Sequence, residues 1–427
     1  MKGKKQSRSL IFRTSSRATT AALAIAIVFA LTAVATQAAQ AQTLKILHAF
    51  TGGEDGASPF AGVTLDKAGN LYGTAYSGGA GYGTVYQLKY KNSNWTFNPL
   101  FSFNGSDGAR LEARVIFGPN GTLFGTTYGN PVLGTVFNLR PFPSVCKTVL
   151  CPWMETVLFN FGGGDGSYPA YGDLLFDQPG NIYGTTSAGG NGYGLVYELT
   201  PPGSWNTESV LYAFSGNDGA YPQNGVIFDN AGNLYGTTEE GGLDNDGVVF
   251  ELMPVRGGWT ACTLYNFRNG NDGRYPTAGL IFDQSGNLYG ATSDGGSGGG
   301  GTVFELTPSG NCTWTLKTLY SFTGSGGGGQ YCGPWGTLVM DGAGNLYGTT
   351  QCDGVHNAGS VFKLTPSGGS WTYTSLHDFA GGSDGESPFC TVVFDVNGNL
   401  YGTAIFGGDR DCIGAGAGCG IVWEITP

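Results

Sequence analysis

Of the Asp-Gly pairs in this 427-residue chain, six stand at one recurring place, at Asp55, Asp107, Asp165, Asp218, Asp272 and Asp384. Aromatic-proline steps follow closely at Tyr168-Pro169, Tyr221-Pro222 and Tyr275-Pro276, with Pro59-Phe60 and Pro388-Phe389 as reversed versions. Asp-Gly is first of all a turn signal, because Asp accepts nearby backbone N–H groups and Gly reaches positive φ. The sharper reading is a ring of carboxylates with Tyr platforms beside it, suited to cations or sugar hydroxyls. On that reading Asp165, Tyr168, Asp218, Tyr221, Asp272 and Tyr275 bind ligand. The densest acidic loop is Asp244-Asn245-Asp246-Gly247, just after Glu239 and Glu240. Asp244 and Asp246 are the metal candidates there, with calcium the cation they would take, although the spacing and terminal Glu of an EF-hand are missing. Trp335 and the Asp409-Arg410-Asp411 cluster complete the candidate set, the cluster being read first as a solvated ion-pair patch.

Catalytic constellations are weaker. The chain holds three His. His48 and His377 share one repeat position, where Tyr or Phe stands in other copies, and are read as packing residues. His356 sits in a loop with no nucleophile or metal partner near it in sequence. Neither a Gly-x-Ser-x-Gly elbow nor a His-Glu-x-x-His motif is present. No catalytic residue is assigned, and acid–base work by paired carboxylates in a channel stays open because sequence cannot set their separation.

Composition limits the partners. Residues 1–41 have the layout of a secretory signal peptide: a basic stretch from Lys2 to Arg17, an apolar run from Ala21 to Ala35, and Ala39-Gln40-Ala41 as a small-x-small cleavage site. Six of the 20 Lys and Arg lie in that leader; the other 14 face 31 Asp and Glu, a net of −17 against −11 for the whole chain. An acidic surface repels phosphate backbones, so nucleic acid and anionic membrane are poor partners. A secreted or periplasmic monomer is expected. All nine Cys follow residue 145, and an oxidising compartment would pair them and leave at least one unpaired. Cys146 with Cys151, Cys332 with Cys352, and Cys412 with Cys419 are the local pairings expected.

The elements that must position these residues come from one repeated unit. Gly-Asn-Leu-Tyr-Gly-Thr, or a close variant, recurs with its Leu or Ile at 71, 123, 182, 234, 288, 346 and 400. Copying at such a period implies one supersecondary unit stacked to bury a continuous core. The fifth unit reads as four strands: Gly279–Asp283, Asn287–Gly290, Gly301–Leu306 and Trp314–Phe322. Each is β-branched and aromatic and is bounded by turn residues. No sustained 3.6-residue apolar period follows the leader, so helix is nearly absent. Between the first two strands stands Asp-x-x-Gly-Asn, at Asp66, Asp177, Asp229, Asp283, Asp341 and Asp395, read as structural turn residues; the second copy has Gly118 instead.

The ends of the chain argue for closure. The last copy stops after three strands, at Gly420–Ile425, and its missing fourth element appears at the other end as Leu47-His-Ala-Phe50. A ring whose last sheet takes its outer strand from the N-terminal segment leaves no incomplete blade. The expected fold is therefore all-β, a seven-bladed β-propeller of four-stranded antiparallel blades, forming a single domain over residues 42–427. In that arrangement the loops joining strands two and three, and those entering the next blade, share one face of the disc. Functional residues gather on such loops.

The stretch Gly286 to Pro308 shows the motif best, and from about residue 44 onward the chain resembles the GloVer tandem-repeat family of exported bacterial proteins. That resemblance implies export and a repeat architecture and supplies no catalytic residues. Its anchored members carry surface anchors; none is expected here after Pro427. The layout is also loosely similar to kelch repeats. The leading expectation is a binding or scaffold propeller for extracellular glycan. The alternatives are a carbohydrate- or lactone-directed hydrolase or lyase, with or without calcium, and a structural cell-envelope protein.

Overall fold

The computed structural model describes residues 42–129, 133–142, 153–169, 171–201, 205, 207–324, 331–409, 411–412 and 417–426. These form seven four-stranded antiparallel sheets arranged as a propeller. The inner strands of blades one to seven are Thr64–Leu65, Ile116–Phe117, Leu175–Phe176, Ile227–Phe228, Ile281–Phe282, Val339–Met340 and Val393–Phe394. They pair over two residues each, shorter than the four- or five-residue run read from sequence. A three-residue 3-10 turn at Gly382–Asp384 is the sole helical element among the described residues.

The recurring motif is explained residue by residue. Its Tyr hydroxyl donates to the turn Asp, as Tyr72 does to Asp66 and Tyr401 to Asp395 at 3.2 Å each. That Asp also takes two donors from the motif Asn: in the last blade, the Asn399 N–H at 2.9 Å and the Asn399 amide at 2.8 Å. Where Gly118 replaces the Asp, Phe124 replaces the Tyr. The Phe124 ring then fills the space, with Cε2 2.3 Å from where a Cβ at Gly118 would stand. The motif Thr reaches into the next blade. Thr74 donates to the Ala113 carbonyl at 3.0 Å and Thr349 to that of Cys390 at 2.9 Å. Thr403 of the last blade donates to Ala61 of the first at 2.9 Å, the same bond across the seam.

Closure follows the expected route. Thr43–Ala49 is the outer strand of blade seven, antiparallel to Ile421–Thr426, running from Thr43 opposite Thr426 to Ala49 opposite Ile421. Phe50, directly after it, is fully buried against Val63, Leu71 and Tyr86 of blade one together with Val422 of blade seven. The core is a set of slabs of this kind, each lying between neighbouring blades. Gly420 seals the seam: its φ is +93°, and a Cβ there would meet Pro59 Cδ at 2.5 Å. Gly134 and Pro169, or Gly247 and Pro276, show the same contact between other neighbours. A side chain at this glycine would push adjacent blades apart.

Disulfides join Cys332 to Cys352 and Cys412 to Cys419, as expected. A third, Cys262 to Cys312, ties the outer strand of blade four to the outer hairpin of blade five and was not anticipated. Cys390 is a buried free thiol. The Cys146–Cys151 pairing lies outside the described residues.

Candidate functional site

The two loop sets do share one face, and short bridges tie them together. Ala57 pairs with Ser77, Ser167 with Ala188, Ala220 with Glu240, Arg274 with Asp294, and Glu386 with Phe406. The residue after each bridge in the entering loop holds a left-handed backbone: Ser58, Tyr168, Tyr221, Tyr275 and Ser387, all with φ between 55° and 59°. Arg110, at φ 60°, occupies this position in blade two. Such strain persists only when the surroundings fix it. Here the residue is bonded on both sides: the Tyr275 N–H donates to Asp246 of the preceding blade, and its carbonyl accepts from Ser293 of its own.

The Asp of each Asp-Gly pair faces its own turn. Asp218 accepts the Ser215 N–H at 2.8 Å and the Tyr212 hydroxyl at 2.5 Å. Asp272 accepts from the Gly270 N–H and the Tyr265 hydroxyl, each at 3.0 Å, and Asp165 from the Gly162 N–H at 2.6 Å. His48 and His377 hold Asp55 and Asp384 in the same way, at 3.0 and 3.1 Å. Their partners sit on outer strands, so these carboxylates belong to the rim. The turn reading describes their geometry, and the binding reading passes to the aromatic residues.

Those aromatics converge. Proline, not the aromatic, is the equivalent residue in the Tyr-Pro and Pro-Phe steps, since Pro59, Pro169, Pro222, Pro276 and Pro388 all seat on the same loop glycine of the preceding blade. Leu111 takes the proline's place on Gly83 in blade two, and Gly333 before Pro334 lies against Gly301 in blade six, so Phe60, Glu112, Gln223, Thr277, Trp335 and Phe389 share one position, the next toward the axis. A chain of ring contacts runs from Tyr275 to Tyr331 (5.4 Å between centroids), Trp335 (5.6 Å), Phe389 (4.3 Å), Phe60 (5.9 Å) and Tyr76 (5.1 Å). Tyr171 stands at its centre, 5.3 Å from Phe389 and 5.8 Å from Trp335. A guanidinium caps each end: Arg274 lies over Tyr275 at 4.8 Å and Arg110 over Tyr76 at 5.8 Å. Tyr168 and Tyr221 lie apart from this arc, paired with Tyr128 and Tyr193.

Below the arc is a small cavity of about 20 Å³, lined by Phe60, Tyr171, Trp335 and Phe389 and by Glu112, Arg114, Asp173 and Asn224. Arg114 and Asp173 form a two-pronged ion pair between blades two and three. Glu112 is 7% exposed, and its Oε2 has no hydrogen-bond partner. Burial pushes this carboxyl up to about 8 against the pull of Arg110. Near the arc, burial also raises Glu239, although the Gln223 amide and the Tyr331 hydroxyl stabilise its charge. Sequence reasoning missed Glu112, Tyr171 and Tyr331. Aligning the copies on proline, with Leu111 in its place in blade two, would have exposed Glu112 as a lone acid where other blades carry aromatic or neutral residues.

The remaining candidates lie elsewhere on the loops. In the acidic loop Asn245 takes the centre, accepting the Gly241 N–H at 3.2 Å, while Asp244 is exposed and Asp246 half-buried near Arg274. Among the described residues no three His, Cys, Asp or Glu side chains group as metal ligands. Asp409 accepts the Asp411 N–H at 2.9 Å in a local turn beside the Cys412–Cys419 disulfide, and Arg410 lies outside the described residues.

No curated protein matches this sequence. Among solved structures, one provisionally named an oxidoreductase (glucose dehydrogenase) from Thermus thermophilus is 15% identical, covering 90% of this chain and 100% of its own, with a TM-score of 0.42. One provisionally named a 6-phosphogluconolactonase, from Bacteroides uniformis, is 13% identical, covering 75% and 84%, with a TM-score of 0.47. A protein of unknown function from Dyadobacter fermentans is 9% identical, covering 90% and 98%, with a TM-score of 0.44. The family model of the Gloeobacter/Verrucomicrobia repeat matches residues 26–227, 152–331 and 260–427, and with that span the chain belongs to this repeat family.

Proposed function

We propose that this chain is an exported binding propeller, a single domain acting as a monomer, whose loop face recognises extracellular glycan. The observation that carries this is the aromatic arc from Tyr275 to Tyr76. Sugar rings offer C–H faces that stack on aromatic faces, while a few fixed polar groups orient the hydroxyls. The arc is anchored on a doubly bonded, left-handed Tyr275, so little conformational freedom is lost on binding. Glu239, Gln223 and Glu112 supply polar groups at its inner edge. The three disulfides among the described residues suit an oxidising compartment, in keeping with the leader read from residues 1–41.

The hydrolase alternative needs two free carboxyls flanking a substrate. Asp173 is committed to Arg114, and the cavity it shares with Glu112 has the volume of about one water. Binding is the better-supported reading. Calorimetric titration of neutral oligosaccharides into wild type and Trp335→Ala tests it. Loss of a stacking aromatic should weaken binding by about tenfold. Equal affinity in the two proteins would remove the arc from consideration.

A further inference from the structure

Glu112 is the unexplained group on this face. It is nine-tenths buried, yet Oε2 has no partner, an arrangement that folding alone disfavours. Several other polar side chains lining its cavity have partners, the Trp335 indole N–H donating to the Tyr331 carbonyl at 3.2 Å. Arg114 and Asp173 hold each other, Asn224 accepts the Gly225 N–H at 2.9 Å, and Thr391 accepts the Thr337 N–H at 3.0 Å. The cavity is open to the arc and has room for a group of about water size.

Resting on the glycan reading above, we propose that Glu112 recognises a primary ammonium group, so that the preferred ligand is an amino sugar with a free amine. An ammonium group is water-sized and carries three donors, one of which answers the unsatisfied carboxylate oxygen. Four aromatic rings line the cavity, and aromatic faces attract cations. The arc already holds cations of its own at both ends, Arg274 over Tyr275 and Arg110 over Tyr76. A hydroxyl fits the space equally well but gains nothing from the rings, and unlike an ammonium group it does not favour release of the proton that burial holds on Glu112 up to about pH 8. N-acetylation removes the charge and adds bulk that a cavity of about 20 Å³ excludes. The acidic balance of the chain, −11 overall, favours approach of a cationic glycan.

The test is calorimetric titration of short glucosamine oligomers, their N-acetylated counterparts and neutral glucose oligomers into wild type, Glu112→Gln and Glu54→Gln. Glu54 is exposed in an entering turn and controls for loss of one charge. Wild type should prefer the free amine by about tenfold, the ordinary weight of one charge-assisted hydrogen bond. Glu112→Gln should lose that preference while Glu54→Gln keeps it. Equal affinity for the three oligomers, or an unchanged preference in Glu112→Gln, would overturn the ammonium assignment and leave the arc standing. If no oligomer bound at all, the glycan reading would fall and take this inference with it.

Discussion

On Glu112 and Tyr86, a buried polar atom without a partner marks a departure of this chain from its own repeat. Glu112 is the strongest case: with its folded pKa raised to about 8 by burial, the native state binds this proton more tightly than the unfolded chain does. Its contribution is present at pH below the unfolded carboxylate value near 4.5 and is lost as pH climbs toward 8. Glu112→Gln should therefore melt like wild type near pH 5 and several degrees higher at about pH 8 to 9 in a thermal scan. No gain at the higher pH would mean that the carboxylate finds a partner. Tyr86 is the opposite case, because its orphan hydroxyl stands where Phe137, Phe250, Phe304 and Phe362 occupy other blades. Tyr86→Phe should be neutral or stabilising by about 1 kcal/mol in chemical denaturation; a loss of stability would show the hydroxyl to be bonded. At this scale the sequence was legible where residues repeat. The structural reading of Asp66, Asp177, Asp229, Asp283, Asp341 and Asp395 rested on turn chemistry that requires no distant partner. Glu112 and Tyr171 were missed because their role depends on which blades meet across the axis.

The turn and the loop glycine are the working parts of each blade. In Asp283, Asp341 and Asp395 burial alone would raise the carboxyl, but donors from the following Asn hold it below its ordinary value. These turns add stability above the unfolded Asp pKa and lose it as pH falls through the lower folded value. Asp395→Ala should lower the melting temperature at pH 7 and flatten the acid-induced loss below about pH 4. An unchanged acid limb would assign acid sensitivity elsewhere. Gly420→Ala combines a strained φ with a clash against Pro59, so a loss of about 1–3 kcal/mol or more is expected. Wild-type stability in that variant would mean that the seam is loose. Strand types and order were readable from alternation and turn signals. The two-residue pairing of the inner strands was not, because the Leu-Ile-Phe-Asp run looks the same whether two or four residues make ladder bonds.

At the scale of the whole molecule, the ring sets the site. Phe60 belongs to blade one and Phe389 to blade seven, and they touch only because the last sheet borrows Thr43–Ala49 from the start of the chain. The closure was legible because a missing element at one end matched a surplus at the other. The Cys262–Cys312 staple was not, since spacing alone does not show that an outer strand and the next blade's hairpin are neighbours. The closure fixes where the loop face and its aromatic arc lie, and a thermal melt of the chain lacking residues 43–50 beside the full-length protein tests it most directly. Losing the strand unseats Phe50 along with Leu44 and Leu47. A fall of about 10 °C or more is expected from side chains worth roughly 1.5–3 kcal/mol each. Coincident melting curves would contradict the closed ring and, with it, the contact between Phe60 and Phe389.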